Sequence, residues 1–255
     1  MNELQRILSF TRRALDDYHM IEPNDRIAVG ISGGKDSMTL LTALAALRRF
    51  YPIPFELCAV SVDMGFPGGD FSPIAAYCEK LDVPFHVIPT DIATVVFDIR
   101  KEKNPCSLCA NLRRGALHRA AKDLGCRRVA LGHHFDDVVD TFMLNLFYEG
   151  RIGCFSPVTY LSRADLYMIR PLIYAQEKDI RYYVRHTPDL PILESLCPEN
   201  HATERENMKK LLAELERNNK GLRHRLFGAL CKSGIDGYRE TGKRMREMFD
   251  SEEEE

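Results

Sequence analysis

Ile27-Ala28-Val29-Gly30-Ile31-Ser32-Gly33-Gly34-Lys35-Asp36-Ser37 is the stretch that decides how this chain is read. An apolar run ends at Ile31 and breaks into a Ser-Gly-Gly turn. It then passes into Met38-Thr39-Leu40-Leu41-Thr42-Ala43-Leu44, whose spacing suits one face of a helix. A strand that turns through glycines onto a helix N-terminus offers unpaired N–H groups and a positive dipole end, which makes a phosphate site. Glycines let the backbone approach the phosphates and take positive φ. Ser32 and Ser37 can add hydroxyl donors, and Lys35 a positive charge.

The spacing excludes a Walker A loop, which needs four residues between its glycines and Ser or Thr directly after the lysine. Here three residues separate Gly30 from Gly34, and Asp36 follows Lys35. A carboxylate beside polyphosphate is repelled unless a divalent cation lies between them, so Asp36 points to Mg²⁺. Ser-Gly-Gly-Lys-Asp-Ser in this position resembles the PP-loop of the N-type ATP pyrophosphatases. The resemblance implies cleavage of ATP between the α and β phosphates and adenylation of a substrate oxygen.

Strand-like runs alternate with helical ones on both sides of this loop. Strands are expected at 26–31, 55–62, 84–88, 128–131 and 167–172, and helices at 36–48, 73–81, 112–124, 136–148 and 176–185. The alternation implies an α/β fold, a Rossmann-like parallel sheet with helices on both faces. Ligands of such sheets bind beyond the carboxyl ends of the strands, where the Ser-Gly-Gly loop, Asp63 and Gly132-His133-His134 all fall. Asp63 reads equally as a ribose partner and as a helix cap. An amphipathic helix with Leu4, Ile7, Leu8 and Leu15 on one stripe precedes the sheet. Past residue 189 the pattern becomes helical and charged, over 204–217, 223–231 and 238–249. The expected organisation is an N-terminal helix (1–24), a PP-loop ATPase domain carrying a cysteine segment (25–188) and a charged helical C-terminal region (189–255).

The 255 residues, 45% hydrophobic, suffice for one substantial core. No window approaches ~20 uninterrupted apolar residues, so no membrane span is expected. Met1-Asn2-Glu3-Leu4-Gln5-Arg6 has no apolar signal core, and a cytoplasmic protein is the expectation. Asp250 and Glu252 to Glu255 place five negative charges in a terminal tail; removing them from the net −2 leaves +3 on the rest. Between Arg100 and Arg128, nine basic residues face only Glu102 and Asp123, a local excess of +7. That excess suits either a nucleic-acid backbone or a solvated helix face.

Eight cysteines in a chain with no export signal argue for metal or thiol chemistry rather than disulfides. Cys106-Ser107-Leu108-Cys109 opens the basic stretch, and on its own admits zinc, a redox pair or an iron–sulfur cluster. A cluster needs thiolates from distant sequence. Cys197, in a turn before Pro198, is the best placed, whereas Cys58, Cys126 and Cys154 adjoin strands or apolar residues, and Cys78 and Cys231 lie in helical runs. His133 and His134 make a poor metal pair, because adjacent histidines point apart.

Taken together, Ser-Gly-Gly-Lys-Asp-Ser, Cys-Ser-Leu-Cys followed by Leu-Arg-Arg-Gly, and Leu-Gly-His-His-Phe-Asp-Asp resemble the TtcA family of tRNA 2-thiocytidine synthetases. The resemblance runs from Arg26 to Cys197. It implies ATP and Mg²⁺ at Ser32, Gly33, Gly34, Lys35, Asp36 and Ser37, beside which Gly132 and His133, and Asp63 where it is not a cap, are candidate nucleotide neighbours from their places at strand ends. It also implies a [4Fe-4S] cluster on Cys106, Cys109 and Cys197, and active-site roles for Arg113 and for Asp136 or Asp137. The family's second C-x-x-C is here a single Cys197 followed by Pro198-Glu199-Asn200-His201. The implied reaction is adenylation of a cytosine C2 oxygen, then displacement of AMP by sulfide. The implied partners are tRNA, ATP and a sulfur donor such as a cysteine desulfurase or sulfide, with a homodimer as a candidate assembly and no membrane. The competing readings are a thiolase acting on another base, a PP-loop amidotransferase or ligase on a small molecule, and a redox-regulated nucleotide-binding module. The second of these leaves the cysteine pair and the basic stretch unexplained.

Overall fold

Strand β1 (Asp25–Ile31) is apolar at nearly every position because both of its faces are covered, which is the pattern of a central parallel strand. A computed structural model of the protein describes residues 3–101, 105–194, 196–197 and 204–241. On either side of β1 run β2 (Phe55–Asp63) and β4 (Arg128–Ala130), both parallel to it. β3 (Phe85–Pro89), β5 (Val158–Leu161) and β6 (Leu166–Ile169) complete a six-stranded sheet of order β3-β2-β1-β4-β6-β5. The sheet is not parallel throughout, as the alternation implied: β5, which lies outside every expected strand, pairs antiparallel with β6 at the sheet edge.

Side chains alternate between the two faces of each strand. Ala28, Cys58, Val60, Val62 and Val129 turn to one face and pack with Leu117, Ala120 and Ala121 of α4 (Pro105–Asp123). Ile27, Val29, Leu57 and Ala59 fall on the opposite face and are equally buried. α2 (Lys35–Leu47) covers the sheet there, and α1 (Glu3–Asp17) and α6 (Glu177–Arg185) pack on α2. α3 (Ser72–Lys80) packs beside β3. Cys58 and Cys126 lie within this core with their sulfurs 3.4 Å apart. The hydrogen bond to Cys58, together with burial, pushes the Cys126 thiol up.

The sheet and these helices belong to one compact unit, residues 1–133 with 158–200. A second unit takes residues 134–157 and 201–255, with α5 (Phe135–Tyr148), α7 (Glu204–Asn218) and α8 (Leu222–Ser233). Within it Phe135 stacks near Phe227, whose ring meets Tyr238 edge-on. The helix expected from 238 does not start there, since Tyr238 is extended (φ −68°, ψ 144°). Residues 242–249 lie outside the described residues, as does the acidic tail. α4 begins seven residues before the expected 112, because Pro105 suits a first helical position where its missing N–H costs nothing.

Candidate functional site

The loop between β1 and α2 is closed by its own serines. Ser37 Oγ accepts from the Ser32 backbone N–H (3.1 Å), sits 3.0 Å from Ser32 Oγ and donates to the Gly34 carbonyl (2.9 Å). Ser32 Oγ in turn accepts from the Gly34 N–H. Gly33 holds φ +81°, a conformation that strains any residue with a Cβ. Ser37 thus braces the loop from inside, and α2 starts at Lys35, where a helix's first N–H groups have no partner within the helix.

Lys35 Nζ lies 2.9 Å from Asp36 Oδ2 and 3.0 Å from Glu177 Oε1, on the first turn of α6. Burial alone would lower the Lys35 ammonium, but the two carboxylates together outweigh it and hold it above its ordinary range. Glu177 is a site residue that local sequence could not disclose, since it reaches the loop from 142 positions downstream. Because Glu177 is a second acceptor, Asp36 can turn to a divalent cation while Lys35 keeps a counter-charge.

Gly132, just past β4, meets α2 end-on: a Cβ there would lie 2.9 Å from the Asp36 carbonyl carbon and 3.0 Å from Ser37 N. Only a glycine allows β4 to end against the phosphate loop. His133 follows, half-buried in the same unit. Asp63 ends β2, and its Oδ1 accepts from the Gly65 N–H (2.9 Å). It closes the turn after the strand, not a helix, because α3 starts only at Ser72.

Cys106 and Cys109 occupy the first turns of α4, three residues apart and therefore on one face. Arg113, one turn beyond Cys109, shares that face. The Cys109 thiol is raised by burial and by the neighbouring Cys197 and Cys106, and lowered by Arg113. Arg113 is itself lowered by burial, against the pull of Cys109. The four side chains therefore share one electrostatic neighbourhood. Cys106, Cys109 and Cys197 are also the three cysteines that are not buried, as Cys58, Cys78, Cys126, Cys154 and Cys231 all are. No three Cys, His, Asp or Glu side chains among the described residues converge on a single-ion site. A four-iron cluster does not require that, because each of its thiolates binds a different iron.

Asp136 and Asp137 belong to the second unit, at the start of α5. Asp137 Oδ2 accepts the His134 N–H (3.0 Å) and its Oδ1 meets Arg205 (3.1 Å). Asp136 and the buried Asp140 share Arg223 at 3.0 and 3.2 Å. Burial pushes the Asp140 carboxyl up to about 6, against the pull of Arg223.

Not all of the basic stretch is available to a ligand. Arg128 is 3% exposed and pairs with Asp25 and Glu22 inside the fold, so it is a structural cation. Arg100, Lys101, Arg114, Arg119, Lys122 and Arg127 are exposed, while Lys103 and Glu102 lie outside the described residues.

The chain matches the PP-loop domain family over residues 6–189. Three relatives carry the same name, tRNA-cytidine(32) 2-sulfurtransferase. That of Syntrophotalea carbinolica is 40% identical over 229 residues, 89% of this chain and 88% of its own. That of Geobacter sulfurreducens is 39% identical over 229 residues, 89% of each chain. That of Aliivibrio fischeri is 40% identical over 233 residues, 90% of this chain and 75% of its own. Among solved structures, the U34-tRNA thiolase NcsA of Methanococcus maripaludis, with its [4Fe-4S] cluster, superposes with a TM-score of 0.72. It is 24% identical over 87% of this chain and 76% of that one, and so shares its fold.

Proposed function

Since the chain belongs to the PP-loop domain family and to its tRNA-cytidine(32) 2-sulfurtransferase group, we propose that it thiolates a cytidine of tRNA at the expense of ATP. The observation that carries this reading is the sorting of the cysteines. Five are buried, and of the other three Cys106 and Cys197 neighbour Cys109, beside which Arg113 also lies, in the unit that also holds the phosphate loop.

ATP lies with its phosphates on the loop from Ser32 to Ser37, at the N-terminus of α2. The N–H groups at the start of the helix and the helix dipole take up negative charge there. Lys35 neutralises the departing pyrophosphate, and Asp36 is the residue that would hold Mg²⁺ while Glu177 keeps Lys35 paired. The cytosine C2 oxygen attacks the α-phosphorus, a C–O–P bond forms, and pyrophosphate leaves. Sulfide then adds to C2, the C–O bond breaks, and AMP departs with that oxygen. No electrons are gained or lost overall. Arg113, half-buried beside the thiols, supplies a fixed positive charge for the phosphate or for the incoming anion.

Cys106, Cys109 and Cys197 are the residues that would hold a [4Fe-4S] cluster. When bound, such a group supplies an iron without a protein ligand, as a Lewis-acid carrier for sulfide. Asp136 and Asp137 orient Arg223 and Arg205 in the second unit. The exposed cations of α4, Arg114, Arg119 and Lys122, receive the tRNA backbone. The test is mass spectrometry of tRNA nucleosides from cells with and without the gene. Loss of 2-thiocytidine alone is expected, and an unchanged thionucleoside profile would refute the proposal.

A further inference from the structure

After α6 the chain does not run straight to Cys197. Leu190 is buried and its N–H bonds the Thr187 carbonyl (3.0 Å), which anchors the turn. The segment then crosses the phosphate loop. Leu193 N–H donates to the Gly33 carbonyl at 2.9 Å. Its side chain rests on the Gly33 α-carbon: a Cβ on Gly33 would lie 3.0 Å from Leu193 Cβ, 3.2 Å from Cγ and 3.3 Å from Cδ1. Leu196 reaches the loop after β2, with Cδ1 3.8 Å from where a Cβ of Gly69 would sit. Cys197 is the next residue, near enough to Cys109 to raise its thiol.

A bare phosphate loop has no need of this contact. Its glycine is usually left open so that the ligand can approach, whereas here the Gly33 carbonyl and α-carbon are covered by the segment that carries a thiol. Gly33 is also the residue with positive φ, where the loop's conformation is decided. Phosphates that fix the loop N–H groups therefore fix the direction of the Gly33 carbonyl, and with it the Leu193 N–H.

We propose that Leu193 is a positioning residue that couples occupancy of the phosphate loop to the placement of Cys197. The inference rests on the loop being the ATP site, but not on the cluster being present. Coupling is reciprocal, so whatever holds Cys197 in place must tighten ATP binding by the same factor. The contact cannot transmit more than it is worth, which for one backbone hydrogen bond is about tenfold.

The test uses the full-length, reduced, cluster-free protein and timed alkylation with iodoacetamide, read at each cysteine by peptide mass spectrometry. The exposed Cys106 serves as the internal reference. A non-hydrolysable ATP analogue with Mg²⁺ should slow alkylation of Cys197 relative to Cys106 by about threefold to tenfold. Leu193→Pro lacks the N–H; it should still bind the analogue by calorimetry but lose the effect. Leu193→Ala keeps the N–H and sheds the packing, so it should retain a reduced effect, and it serves if the proline variant does not fold. An undiminished effect in a folded Leu193 variant would overturn the coupling. So would a wild type that binds the analogue with no change at Cys197. A wild type that binds no nucleotide would instead overturn the ATP-site reading on which the inference stands.

Discussion

Adding one methyl group to Gly132 should disable the nucleotide site, while adding one to Gly115 should stabilise the protein. At Gly132 the new carbon would sit 2.9 Å from the Asp36 carbonyl carbon, 3.0 Å from its oxygen and 3.0 Å from Ser37 N. Carbon contacts are comfortable at about 3.5–4.0 Å, so roughly half an ångström must be found. All three atoms are backbone in the first turn of α2 and cannot rotate away. Overpacking of this kind costs about 1–3 kcal/mol, or about 2–4 °C in Tm for each kcal/mol. The displaced backbone belongs to the helix start proposed to take the phosphates, so Gly132→Ala should also slow AMP formation, by up to about a hundredfold for a 1 Å misplacement. Gly115 lies exposed within α4 with nothing inside 4 Å of its would-be Cβ. There the gain in helix propensity should raise stability by about 0.5–1 kcal/mol. Paired thermal melts and AMP assays decide the matter. If Gly132→Ala melts with the wild type and makes AMP at the same rate, β4 does not end against the loop and the site geometry is wrong.

Three other perturbations probe the same geometry. Reversing Arg119 and Lys122 to Glu should weaken tRNA binding and flatten its salt slope by about 0.9 for each duplex phosphate no longer neutralised, with ATP affinity unchanged; an unaltered slope would remove α4 from the RNA surface. Glu177→Gln leaves Lys35 with Asp36 as its one carboxylate partner among the described residues, which draws Asp36 away from the divalent cation proposed for it. The ATP dissociation constant should rise about threefold to tenfold, and equal affinity by calorimetry would contradict the role. The buried Asp140, pushed up to about 6, keeps its proton in the fold over a pH range where the unfolded chain has released it. Its contribution is complete below about pH 4 and is lost as pH rises through about 6, some 2–3 kcal/mol in all. Asp140→Asn should erase that slope in urea unfolding between pH 4 and 7, and an unchanged slope would show that another group titrates.

The phosphate loop and strands β1, β2 and β4 were legible because buried parallel strands read as apolar runs ending in turn residues, and β3, a half-exposed edge strand, was anticipated as well. β6 was also anticipated, though it stops at Ile169 and not at Leu172. β5 escaped because Val158-Thr159-Tyr160-Leu161 is a short, half-exposed edge strand whose pairing is set by its neighbour. The buried cysteines could be told from the accessible ones, since Cys58 and Cys126 adjoin apolar strand residues while Cys197 directly precedes a proline outside any periodic run. Arg128 shows the limit of charge counting. It lies in a basic run, yet it sits at the start of a buried strand facing Asp25, a partner 103 positions away. Glu177 and Leu193 touch the phosphate loop from still more distant sequence, and nothing local to them announces a ligand site. Only the fold brings them there.

The most direct test supplies the purified protein, reconstituted anaerobically with iron and sulfide, with ATP, Mg²⁺ and an unmodified tRNA transcript, and measures the nucleotide products and tRNA sulfur together. AMP and pyrophosphate are expected, with one 2-thiocytidine formed for each AMP in the productive reaction. ADP and phosphate as products, or AMP released while the tRNA gains no sulfur, would refute thiolation by this route.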